Sequence, residues 1–297
     1  MIMHEQHWVR AREAHQEAVD AVVQPHLLRR GRGEAHPVLD FLFTYYNHRP
    51  ARLRRWHPGI GNVLVGDRAE EYLAVRGYTR TADGITVSDE AVHQRDTTLE
   101  FVRALLQATA ARPAQLGCFG LHEWAMVYRG GTDVLRHRDV RLRLGHQGTD
   151  AVVESMELRC THHDAFRFFT PQAQPRNAVQ TSRADQRRLE QPGCLHANMD
   201  LYKWAYKLEP LVPSELLLRC LQLAIAARTL DMRASPYDLR EHGYEPVAIE
   251  TAPGRAQYVR EQAELTRRAA PLRQELLAVC AQAATPTRHP GVTTMRQ

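Results

Sequence analysis

The chain has 297 residues, of which 25% are charged and 43% hydrophobic, a balance that excludes wholesale disorder and is enough to bury a real core. No run approaches the ~18 consecutive apolar residues that span a bilayer, and the opening MIMHEQHWVRAREAHQ lacks the apolar centre of a signal peptide, so no membrane partner and a cytoplasmic location are expected. The net charge of +5 comes from 39 Lys+Arg, among which Lys203 and Lys207 are the only lysines; that balance is compatible with nucleic acid or phosphate-bearing substrates.

Along the chain, Trp8, Ala11, Ala14, Ala18, Val19, Val22 and Val23 recur at helical spacing and predict a helix over 8–24, which Pro25 should stop. A run dense in Arg, aromatic and His residues follows. Its Arg29, Arg30, Arg32, Arg52, Arg54 and Arg55 would either track a phosphate backbone or pair internally with Glu34 and Asp40. Asp83-Gly84 between GYTRT and ITVS predicts a hairpin, and Phe101, Val102, Leu105 and Leu106 predict a helix over 98–110. The alternating runs RDVRLRL and VVESMELRC, joined by GHQGTD, predict an antiparallel hairpin over 138–160 with His162 at its exit. A strongly apolar helix opens at Ser214 and runs to about Arg228, PVAIET is a candidate strand, and 256–284 reads as helix kinked or divided at Pro271.

The expected fold is α+β: helices packed around a small antiparallel sheet in a single compact domain with an N-terminal helical arm. The arm takes residues 1–60, the core 61–284 and a loose tail 285–297. Cys118, Cys160, Cys194, Cys220 and Cys280 form no CxxC pair and read as small buried hydrophobes rather than disulfides or a zinc ribbon.

Four segments combine Gly, His, carboxylate and aromatic residues beyond what packing needs: GCFGLHEWAMVYRGG, with His122, Glu123, Trp124 and Tyr128; RCTHHDAFRFFTP, with His162, His163 and Asp164; EQPGCLHANMDLYKWAYKL, with Glu190, His196, Asn198, Asp200 and Lys203; and LDMRASPYDL, with Asp231, Arg233, Ser235 and Asp238. On a helix His196 and Asp200 share a face, with Lys203 three residues on, which suits either an imidazole oriented by a carboxylate or two metal ligands. His162 and Asp164, two apart on a strand, would share a face as well. The adjacent His122 and Glu123 should point apart in regular structure. Convergence of the four segments on one cleft is the expectation.

These four runs, together with HPVLDFLFTYYNHRPARLRRWHPG upstream, resemble an actinobacterial family known as 3-methyladenine DNA glycosylases, over roughly residues 8 to 280. Of the hairpin LPGVGxxTA found in helix-hairpin-helix alkyl-base glycosylases, only His57-Pro58-Gly59-Ile60-Gly61 is similar, and a strand-like run follows it. The resemblance implies a DNA-repair N-glycosylase, a hydrolase that binds double-stranded DNA and releases an alkylated purine without a cofactor. Trp124 and Tyr128 would then stack on the flipped base, Glu123, Asp164 or Asp200 would be the carboxylate with His196 as its partner, and Arg29, Arg30 and Arg32 would hold phosphates. The residues alone support a second reading, a metal-dependent enzyme acting on a small molecule. In it His162 or His163, Asp164, His196 and Asp200 bind a transition metal, with iron favoured by a two-His, one-carboxylate set.

Overall fold

The computed structural model describes residues 1–130 and 140–285. Helix α1 spans Glu5–Gly31 and does not stop at Pro25. Proline removes one helical hydrogen bond, but His26 and Arg29, in the turn beyond it, both bind the Asp40 carboxylate at 2.8 Å and anchor the continuation. Its buried face carries Trp8, His15, Val19, Val23 and His26. Trp8 is fully buried against Trp56 and Tyr72, so the N-terminal arm is packed at its outset.

Two short helices follow, α2 at Asp40–Tyr45 and α3 at Pro50–Leu53. Strands β1 (Ile2–Met3), β2 (Val63–Leu64), β3 (Tyr78–Thr81) and β4 (Gly84–Val87) form one sheet in the order β1-β2-β4-β3. The β3–β4 hairpin is the one the Asp83-Gly84 turn predicts. β1 pairs parallel to β2, so the sheet is mixed rather than wholly antiparallel. Leu64 and Ile85 from the sheet join Trp8, Trp56, Ala69 and Tyr72 in a small separate core.

Helices carry the main core. α4 (Asp89–His93) and α5 (Asp96–Ala110) precede the single-turn α6 (Leu121–Ala125), then α7 (Gly145–Ser155), α8 (His163–Phe166) and α9 (Gln186–Leu189). α10 (Leu195–Lys207), α11 (Ser214–Arg233) and α12 (Ala252–Ala284) pack on one another and on α5. α12 continues unbroken through Pro271, and its start is capped by the Thr251 hydroxyl, which accepts the Gly254 N–H at 3.1 Å. Among the described residues no helix is long and apolar enough to cross a membrane.

Two further sequence expectations fail. The hairpin over 138–160 is not formed: residues 145–155 are α7, Leu142 makes only an isolated bridge to Tyr237, and 138 and 139 lie outside the described residues. The apolar residues of that run fit two periods, and burial of Thr149, Val152 and Val153 on one helical face decided for the longer one. PVAIET is irregular rather than a strand, although Val247 and Ile249 are fully buried; Val247 N–H donates to the Arg233 carbonyl at the end of α11. All five cysteines are free, and all but Cys118 are buried.

Candidate metal centre and its cavity

Phe119 and Gly120, both at positive φ (47° and 69°), turn the chain sharply into α6. A side chain at Gly120 would press on Ala234 at 3.3 Å, so glycine serves both the backbone and the packing. α6 lays His122 and Glu123 against α11. Neighbouring helical residues diverge by about 100°, yet both meet the same helix because they reach different turns of it. His122 Nε2 lies 2.7 Å from Asp231 Oδ1, and Glu123 Oε1 accepts from Arg228 at 2.7 Å, one turn earlier. Arg228 also donates to Asp231 Oδ2 at 3.0 Å. His122 and Glu123 therefore do not point to separate environments; they join one buried network.

α10 brings the second half. His196, Asp200 and Lys203 share the face that their spacing predicts. The His196 ring meets His122 edge-on at 4.5 Å between centroids and stacks on His162 at 5.2 Å. His162 precedes α8 as its N-cap, rather than ending a strand, and lies 3.5 Å from Asp200 Oδ2. Asp200 accepts from the Tyr46 hydroxyl at 3.1 Å and from Lys203 at 2.8 Å. Lys203 bridges to Asp164 at 3.3 Å, which also accepts from the Tyr45 hydroxyl at 3.1 Å. The cluster thus joins four carboxylates to cations in two chains, Glu123–Arg228–Asp231 and Asp164–Lys203–Asp200, with three imidazoles between them.

One set of atoms within it has the pattern of metal ligands. A nitrogen of His122, a nitrogen of His196 and an oxygen of Asp231 all lie within 4.8 Å of one another, and all three residues are buried. His122 Nε2 and Asp231 Oδ1 form a buried ion pair at 2.7 Å, and neither atom has any further hydrogen-bond partner among the described residues. Burial, and then the neighbouring His122, push His196 far below its ordinary pKa, so its imidazole stays neutral with a free lone pair, as a ligand requires. Burial works against ionisation of Asp231, but His122, His196 and Arg228 together outweigh it and hold the carboxyl well below its usual range. At His122 burial lowers the pKa, and Asp231 and Glu123 reverse that and raise it.

Beside the cluster lies a cavity of about 320 Å³ whose wall includes His162, His163, Asp164, Lys203, Trp204 and Phe101. It reaches His162, and through that ring stacks on His196. Both nitrogens of His162 are buried without a hydrogen-bond partner.

The structure brings Glu123, Asp164, His196 and Asp200 together, but with different standing. Glu123 is neutralised by Arg228, Asp164 and Asp200 share Lys203, and only His196 stands in the ligand set. Of the sequence-derived ligands His162, His163 and His196, His162 sits one ring further out and His163 turns its Nδ1 to the Thr181 carbonyl at 3.3 Å. His122 and Asp231 take their places. Trp124 and Tyr128 do not face the cavity: Trp124 is fully buried with its indole N–H on the Ala234 carbonyl, and Tyr128 donates to Glu154. Arg29 is paired with Asp40, as the internal-pairing alternative expects, while Arg30 and Arg32 are exposed at the end of α1. The His57–Ile60 turn is buried, and a side chain at Gly59 would meet Pro213 at 2.6 Å, so this turn is packed into the core beneath α11. Arg228 and Tyr46 drew no attention in the sequence; for Arg228 the signal was an Arg three residues before Asp231 on a strongly apolar helix.

Compared with protein-family models, with curated proteins and with solved structures, the chain matches none of them.

Proposed function

We propose that the protein is a metal-dependent enzyme acting on a small molecule, with a divalent transition ion held by His122, His196 and Asp231. The observation that carries this reading is the convergence of one donor atom from each of three buried residues to within 4.8 Å of one another. A two-imidazole, one-carboxylate set suits iron, manganese or zinc and leaves positions open for substrate. When bound, the ion would supply Lewis acidity and, if it is iron, access to oxygen chemistry.

The remaining residues have definable tasks around it. Arg228 grips the second oxygen of Asp231 and fixes which oxygen is turned towards the imidazoles, and Glu123 balances the charge of Arg228. Asp200, pinned by Tyr46 and Lys203, sits ready to take a hydrogen bond from His162. His162, on the cavity wall with its nitrogens unengaged, can hold or pass a proton between a substrate in the cavity and the Asp200 carboxylate. Base excision from DNA draws less support, because Trp124 and Tyr128, the rings that would stack on an extruded base, are enclosed.

Protein purified and then exposed to one equivalent of Fe(II), Mn(II) or Zn(II) should retain near-stoichiometric metal after desalting. His196→Ala and Asp231→Asn should each lower the affinity at least tenfold, whereas His163→Ala should keep the metal. Folded protein that retains no ion, or metal-depleted protein that releases base from alkylated DNA, would overturn the reading.

A further inference from the structure

Many arginines are held in ion pairs. Arg12, Arg29, Arg54, Arg80, Arg129, Arg143, and others through to Arg267, each sit within ion-pair distance of a carboxylate. Against that background a second, larger cavity of about 550 Å³ stands out. Its wall carries Arg52, Arg55, Arg76, Arg95 and Lys207, and the sole carboxylate there is Glu209. Arg52 reaches Glu209 at 3.9 Å, while Arg55, Arg76, Arg95 and Lys207 make no ion pair among the described residues. Arg76 and Arg95 spend their hydrogen bonds on neutral oxygens, those of Gln94 and of the Ala91 backbone. Glu209 itself is buried and lies 3.2 Å from His48, so its charge is turned partly inward.

Like charges gathered in a concave wall repel one another and focus a positive potential into the space between them. The pKa of Arg95 is lowered by burial and then by the neighbouring Arg76 in the same wall. Four cations without a carboxylate partner among the described residues, gathered with Arg52 around one hollow, suit a ligand that brings the missing negative charge. Guanidinium groups bind phosphate oxygens in bidentate fashion, and several around one hollow call for a polyanion rather than a single carboxylate. The volume is that of a small-molecule site, whereas specific DNA interfaces bury roughly 1,000 Å² or more of protein surface.

We infer that this cavity is the binding site for a phosphate or diphosphate group carried by a small molecule. The cavity shares Thr98 and Lys207 with the smaller one that leads to His162. A ligand anchored by its phosphate among the arginines can therefore lay its organic part past Lys207, over Trp204 and Phe101, towards His162. The anion site itself stands without the metal, and only this last connection rests on the proposed reaction centre.

Inorganic pyrophosphate tests it, titrated calorimetrically into metal-depleted protein at constant ionic strength. Saturable binding is expected, at least tenfold tighter than citrate. The exposed pair Arg55→Gln/Arg76→Gln should weaken it at least tenfold with unchanged thermal unfolding, while Arg219→Gln, which removes a remote Arg–Glu pair, should leave it as it is. Pyrophosphate that fails to saturate, that binds no better than citrate, that is indifferent to the Arg55/Arg76 double substitution, or that is displaced by a short DNA duplex would overturn the assignment. Because no metal is present, failure here and failure of the metal reading are separate results.

Discussion

At the scale of single residues, the buried Arg228 is a charge whose value lies in what it holds apart. Replacing it by Met would leave Glu123 and Asp231 as neighbouring buried carboxylates, and uncompensated buried charge costs about 3–5 kcal/mol. Arg228→Met should therefore destabilise the protein by that order in urea denaturation, and Glu123→Gln on the same background should recover part of the loss. No recovery would mean that Glu123 is not the partner that matters. His57 makes a second case. Buried against Tyr78, whose hydroxyl lies 2.8 Å from its Nδ1, it is lowered to about 4, chiefly by burial. Its folded pKa lies below the ordinary 6.5, so above pH 6.5 both folded and unfolded chains hold it neutral and it has no effect. As the pH falls from 6.5 to 4, the unfolded chain takes up a proton that the folded chain refuses, and stability drops by roughly 3 kcal/mol. Below about 4 the effect levels off. The stability profiles of wild type and His57→Gln should converge in slope above pH 6.5 and differ by about one proton between 4 and 6.5.

At the scale of elements, Gly254 sets where α12 begins. A Cβ there would fall 1.9 Å from the Ala248 carbonyl oxygen, a backbone atom that cannot rotate away. Gly254→Ala should displace the helix start and lose the Thr251 cap, lowering stability by more than the ~1 kcal/mol of the cap alone, as thermal unfolding would register. The sequence was most legible where one period dominated: α5, α10, α11 and the β3–β4 hairpin stand where their spacing puts them. It was misleading where two periods fitted the same residues, at 145–155, and where a local rule met a tertiary anchor, at Pro25. The site was half legible. His196, Asp200 and Lys203 lie on one helix, so their geometry follows from spacing alone. His122 and Asp231 come together only because α6 crosses α11, a contact between segments more than a hundred residues apart that no local pattern encodes.

At the scale of the whole molecule, stability should be uneven. The sheet rests on short strands and a small core of its own, whereas α10, α11, α12 and α5 bury one another. Native-state hydrogen exchange should find the amides of α10 and α11 opening only with global unfolding, and those of β1 and β2 opening at lower free energy. Equal protection in both regions would show that the two cores unfold together. The scarcity of lysine has a practical consequence on the same scale. In all 297 residues the ε-amines belong to Lys203 and Lys207 alone, and both nitrogens lie over the Trp204 ring, at 4.9 and 5.6 Å. Lys203 is locked between two carboxylates, while Lys207 has its proton loosened by burial and nearby cations. An acylating reagent therefore finds one nucleophilic side-chain amine, at the junction of the two cavities, besides the chain's own N-terminus. Peptide mapping of that one position turns the rate of acylation into a direct gauge of whether the junction is filled.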